Sequence, residues 1–174
     1  MNKIFIKAFL FWIVAIWFAQ NAYAQDYCYN CNADSLVRTL QYAKTDSEKI
    51  RLLTLLIDLK VFDVGSGEST KNDSILRNYV QSLLILSKSQ KVKDVDAYKS
   101  LSDALNLLAK KDYLGAQNSF KKSIALFEKN HKKMPHLIAA VRYTYNAAGN
   151  QEERFKFYTE KLHYYLIKYN EERL

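Results

Sequence analysis

A chain of 174 residues is long enough for one domain with a real core. One Pro, four Gly and 25% charged residues suit long helices with short connections rather than a sheet sandwich or a disordered tail. The net charge of +8 is spread along every predicted helix rather than gathered in one stripe, which argues against a nucleic-acid partner.

The first segment reads as a signal rather than as fold. Lys3 and Lys7 make a basic start, and Ala8–Ala19 is a continuous apolar run without charge. Ala22-Tyr23-Ala24 then supplies a small-x-small cleavage pattern before Gln25. The run is short for a membrane span, which needs about 20 apolar residues. Residues 1–24 are therefore expected to be a secretory signal peptide, cleaved after Ala24, with the mature chain in the periplasm or outside the cell. Removal takes Lys3 and Lys7 and no acid, leaving +6. No later apolar run reaches spanning length, so no membrane span is expected after cleavage. Export also argues against nucleic acid, while a weak attraction to acidic surfaces such as anionic lipid or polysaccharide stays open.

Residues 25–33 form a polar lead containing Cys28 and Cys31. Three readings of this pair stand: a local structural disulfide, free or intermolecular thiols, and a redox-active pair. The redox reading wants a strand–helix unit, and the chain has no strand-like pattern. Asn32 follows the second Cys where haem attachment needs His. Two Cys without a nearby His make no zinc site.

From residue 34 to 174 the pattern is helical. Asp34 is the expected cap of a helix over Ser35–Ala43, with Leu36, Val37 and Leu40 on one face. Thr45-Asp46-Ser47-Glu48 fits a capping box. The helix Asp46–Phe62 is apolar most of the way round, so it should lie between several neighbours. Asp63–Asn72 (DVGSGESTKN) is the expected loop, with Gly65 and Gly67 freeing the backbone. Its spacing does not fit a phosphate loop. Asp73 is the expected cap of the next helix, through about Lys88, with Ile75, Leu76, Tyr79, Val80, Leu83, Leu84 and Leu86 inward.

Asp96–Asn130 reads as an amphipathic hairpin turning at Lys110-Lys111-Asp112. Ala97, Leu101, Ala104, Leu105 and Leu108 form one inner stripe; Tyr113, Ala116, Phe120, Ser123, Ile124 and Phe127 form the other. Pro135 opens a further helix, where its missing N–H costs nothing, and Gly149 stops it. A last helix follows Asn150, with Glu152 and Glu153 at its positive end. On it the stripe Phe155, Tyr158, Leu162, Tyr165, Tyr169 is expected to face inward, leaving Phe157 and Tyr164 outside.

The hairpin resembles a tetratricopeptide repeat. Lys111-Asp112-Tyr113 resembles the family's Gly-Asp-Tyr turn; Ala104, Ala116 and Ser123 fall at its small positions and Phe120 at its aromatic one. Ser100 departs from the large aromatic near the start, and no Pro closes the unit. Gly149-Asn150 resembles the same turn one unit later, with Tyr158 at the aromatic position and Arg154 where a small residue belongs. The two turns lie 38 residues apart, longer than the family's unit of about 34. Asp34–Leu59 looks like the start of exported helical-repeat sensor regions of bacterial regulators. The resemblance implies an all-α fold of about seven helices, with antiparallel hairpins stacked into a short right-handed superhelix.

Chemistry is sparse. His131, His136 and His163 suit surface or cap positions. Glu160 and His163 make one Glu-x-x-His pair where a bundle di-metal site needs two. No nucleophile elbow or dinucleotide loop occurs. The expectation is a non-catalytic protein-interaction module without cofactor or metal. Its protein or peptide partner would be held by His136, Arg142, Tyr143 and Asn146 on one helix and by Phe157 and Tyr164 on the next. A second copy of the chain is another candidate partner. Two other classes stand beside this one: a sensor fragment of a signalling regulator without its output domain, and a thiol-redox protein using Cys28 and Cys31.

Overall fold

The computed structural model describes residues 32–66, 70–130, 132 and 134–171. They form seven helices: α1 (Ala33–Tyr42), α2 (Asp46–Ser66), α3 (Thr70–Leu86), α4 (Val95–Ala109), α5 (Tyr113–Lys129), α6 (Pro135–Ala148) and α7 (Gln151–Glu171). No strand occurs among the described residues. The expected signal segment at 1–24, Cys28, Cys31, Gly67 and His131 lie outside them.

Several helix ends differ from expectation by a turn. The cap of α1 is Asn32, whose side chain accepts from the Asp34 N–H at 2.9 Å, so the helix begins at Ala33 rather than Ser35. Among the described residues, most of the expected loop at 63–72 is helical. α2 runs on through Ser66, and α3 starts at Thr70, placing Asp73 in its first turn rather than at its cap. Helical hydrogen bonding extends into a segment whose local composition favours a turn, because helix propensity is weak against the packing of the helices it prolongs. The Thr45 hydroxyl does accept from the Glu48 N–H, at 3.2 Å.

Consecutive helices pack as neighbours, and α4 with α5 make the most extensive pair. One pairing is not consecutive: α2 also packs against α6. With α1, α3 and α6 around it, α2 has neighbours on most sides. That is the physical reason it is apolar most of the way round. Leu52, Leu53, Leu56, Ile57 and Val61 are all buried.

The α4–α5 hairpin matches its sequence pattern closely. Ala104, Ala116 and Ser123 are fully buried where the two helices approach. The Ser123 hydroxyl uses the closeness to donate to the Ala97 carbonyl at 2.9 Å. Phe120, Ile124 and Phe127 fill the core beside them. At the turn, Lys111 adopts a left-handed conformation with φ 62°. Asp112 N–H donates to Leu107 O at 3.0 Å and Lys111 N–H to Leu108 O at 2.9 Å. This is the Schellman pattern, with Lys where Gly is usual. The Asp112 carboxylate then caps α5 by accepting from the Gly115 N–H at 2.9 Å. The same pattern recurs after α6, with Gly149 at φ 77° and Asn150 N–H donating to Tyr145 O at 3.0 Å.

Candidate functional site

Of the nominated residues on α6, Arg142 and Asn146 are exposed, whereas Tyr143 is half-buried and packs against the core. His136, in the first turn, is half-buried as well. The opposite face of α6 carries Leu137, Ile138, Ala140, Val141, Thr144 and Tyr145, all buried. The helical period separates Arg142 and Asn146 from the core but leaves Tyr143 packed against its edge. Asn146 is not loose: its Oδ1 accepts from Arg154 Nη1 at 2.6 Å, tying α6 to α7. Arg154 stands where the repeat pattern wants a small residue, and this bond is what the larger side chain does there.

On α7 Tyr164 is exposed as expected, but Phe155, Tyr158 and Phe157 take the opposite sides from those expected. Phe157, expected outside, is half-buried and meets the Tyr145 ring at 6.0 Å. Lys121 Nζ lies 4.9 Å from the Tyr145 ring centre and 5.2 Å from that of Phe157. Lys161 donates to both carboxylate oxygens of Glu128 at 2.9 and 2.8 Å, and sits 5.4 Å from the Tyr164 ring. The inner face is thus Arg154, Phe157 and Lys161. Phe155 and Tyr158, expected inside, are 72% and 39% exposed. Periodicity misassigned the faces because both carry rings. The deciding residues, Arg154 and Lys161, are charged side chains that point inward to fixed polar partners while their stems pack.

A third feature, a buried ion cluster at the α5–α6 connection, has no counterpart in any local sequence pattern. The Lys132 N–H donates to Phe127 O at 2.9 Å, closing the end of α5. Its side chain turns inward and is 10% exposed. The ammonium donates to Tyr98 Oη at 3.0 Å and, more weakly, to Asp58 Oδ1 at 3.4 Å. It also lies 5.4 Å from the Tyr98 ring centre and 5.0 Å from that of Phe127, and these two rings meet edge-to-face at 5.1 Å. One lysine thereby joins α2, α4 and α5.

Burial pushes the Asp58 carboxyl above the usual carboxylate range, with Lys132 pulling it back only in part. Burial likewise pushes the Tyr98 hydroxyl up. For Lys132 burial works to lower the pKa, but Tyr98 and Asp58 together outweigh it and hold it above the ordinary lysine value. A lysine kept charged is a structural clasp; a nucleophilic lysine needs the opposite shift. Among the described residues no group of three or more His, Cys, Asp or Glu converges to hold a metal ion. Glu160 and His163 are both exposed. No helix among the described residues is long and apolar enough to cross a membrane.

Comparison with protein-family models, with curated proteins and with solved structures finds no match. The functional reading rests on the chain's own geometry.

Proposed function

We propose that this is an exported, non-catalytic protein-interaction module built from tetratricopeptide-type hairpins. Two features support the repeat reading. The turns at Lys111-Asp112 and Gly149-Asn150 share one hydrogen-bond pattern, and the small residues Ala104, Ala116 and Ser123 sit at the close approach of α4 and α5. A stack of such hairpins exposes one face of each helix and buries the other, which suits binding over catalysis.

The observation that carries the proposal is the solvent face of α6. Arg142, Tyr143 and Asn146 offer a cation, a ring and an amide, and Arg154 holds the amide in place. This set is suited to an extended peptide or partner helix carrying a carboxylate beside apolar residues. A peptide-display selection on the processed chain tests it. The expected binders carry an acidic residue flanked by apolar ones, and Arg142→Glu lowers their affinity at least tenfold. Binders indifferent to Arg142→Glu and Tyr143→Ala, or none at all, would overturn the assignment.

A further inference from the structure

We infer that the end of the helical unit bearing the α3–α4 connection is a docking surface for an anionic lipid bilayer. The inference is independent of the peptide-binding face on α6. It begins with Lys88, Lys91, Lys93 and Lys129, all exposed. The first three occupy the connection between α3 and α4. Lys129 closes α5, and its neighbour Asn130 donates to the Asp94 carboxylate at 2.5 Å. That bond brings the fourth lysine to the same end.

The display is rigid. Val92 is buried in the core between Lys91 and Lys93, so the connection is pinned and its two flanking lysines remain in solvent. Asp94, at φ 63°, turns the chain into α4. Two acids close by in sequence have partners of their own: Asp94 accepts from the neutral Asn130 amide, and Asp96 pairs with Lys99 at 2.8 Å. Among the described residues no carboxylate pairs with Lys88, Lys91, Lys93 or Lys129. The four ammonium groups stand in solvent, where an outside polyanion can reach them.

The nature of that partner follows from Ile85. It lies one turn before Lys88 on α3 and is 63% exposed. Lysines alone would suit any polyanion. Lysines around an exposed aliphatic chain suit an interface with phosphate outside and hydrocarbon beneath, which an acidic polysaccharide does not provide. The lysines would meet lipid phosphates while Ile85 enters the acyl boundary.

The test is flotation of the processed chain with vesicles of phosphatidylglycerol and phosphatidylcholine in equal parts, against phosphatidylcholine alone. The expected result is binding to the anionic vesicles only, weakening as sodium chloride rises. Each Lys→Gln change among the four should lower affinity about fivefold, and Ile85→Ser about tenfold. A Lys→Arg set at the same positions should retain binding, and circular dichroism should show every variant helical. Three outcomes overturn the inference: no binding to anionic vesicles at low salt, a quadruple Lys→Gln variant that binds as well as the parent, or lysine-dependent capture by an acidic polysaccharide without vesicle binding.

Discussion

Lys111 and Gly149 hold the same place in two helix-ending turns 38 residues apart, both with positive φ, at 62° and 77°. Only one of them is glycine. A side chain at positive φ costs roughly 1 kcal/mol. Lys111→Gly should therefore stabilise the protein by about that amount, and Gly149→Ala should destabilise it by about the same. No atom crowds a Cβ at Gly149, so backbone strain alone carries the second effect. Urea unfolding of the two variants measures both, and effects of the same sign would contradict the equivalence.

The Asp112 cap gives a prediction for the same hairpin. Asp112→Ala removes the acceptor for the Gly115 N–H and should cost about 1 kcal/mol. Asp112→Asn should recover most of the loss, since the amide oxygen can still accept. Chemical denaturation of the pair separates the cap from the charge.

Lys132→Met should cost about 2 kcal/mol at neutral pH, because it leaves the Asp58 carboxylate and the Tyr98 hydroxyl without the ammonium. The pH dependence has a definite sign. The folded pKa of Lys132 lies above its unfolded value of 10.5, so its contribution is complete below that pH and is lost as pH rises through the folded value. Tyr98, also raised, adds a loss above 10.0. Asp58 is raised from 3.8, so its ionisation lowers stability as pH climbs from that value through the folded one. Lys132→Met should shrink the alkaline loss without abolishing it. Its own penalty should narrow in acid, where Asp58 is protonated. Stability curves across pH for parent and variant read both effects.

α7 should be the first helix to open. It packs mainly on α6, and Phe157, Arg154 and Lys161 are its attachments. Phe157→Ala should cost about 2 kcal/mol. The loss should appear in hydrogen exchange as faster exchange within α7, with α4 and α5 unchanged. Phe155→Ser, on the exposed side, should leave stability within about 0.5 kcal/mol of the parent. Equal effects at 155 and 157 would mean that α7 does not sit with Phe157 inward.

Much of the fold was legible in the residues themselves. The α4–α5 stripes, the all-helical class and the Pro135 and Gly149 signals depend on neighbours three or four positions apart, which sequence displays directly. The run DVGSGESTKN misled, because turn-forming residues were absorbed into the ends of α2 and α3. The two sides of α7 misled for another reason. Rings mark a buried face only when the opposite face is polar, and α7 carries rings on both.

The sequence alone determined the helical periods, the turn at Asp112 and the solvent side of α6, because these follow from local spacing and capping. The tertiary structure alone decided that α2 meets α6, that Lys132 turns inward to Asp58 and Tyr98, and that Arg154 and Lys161 bring Phe157 inside. Each depends on a partner held on a different helix: α6 for α2, Asp58 and Tyr98 for Lys132, Asn146 and Glu128 for Arg154 and Lys161. A charge can be buried only where a distant partner compensates its lost hydration, and the partner's position exists only once the chain has folded.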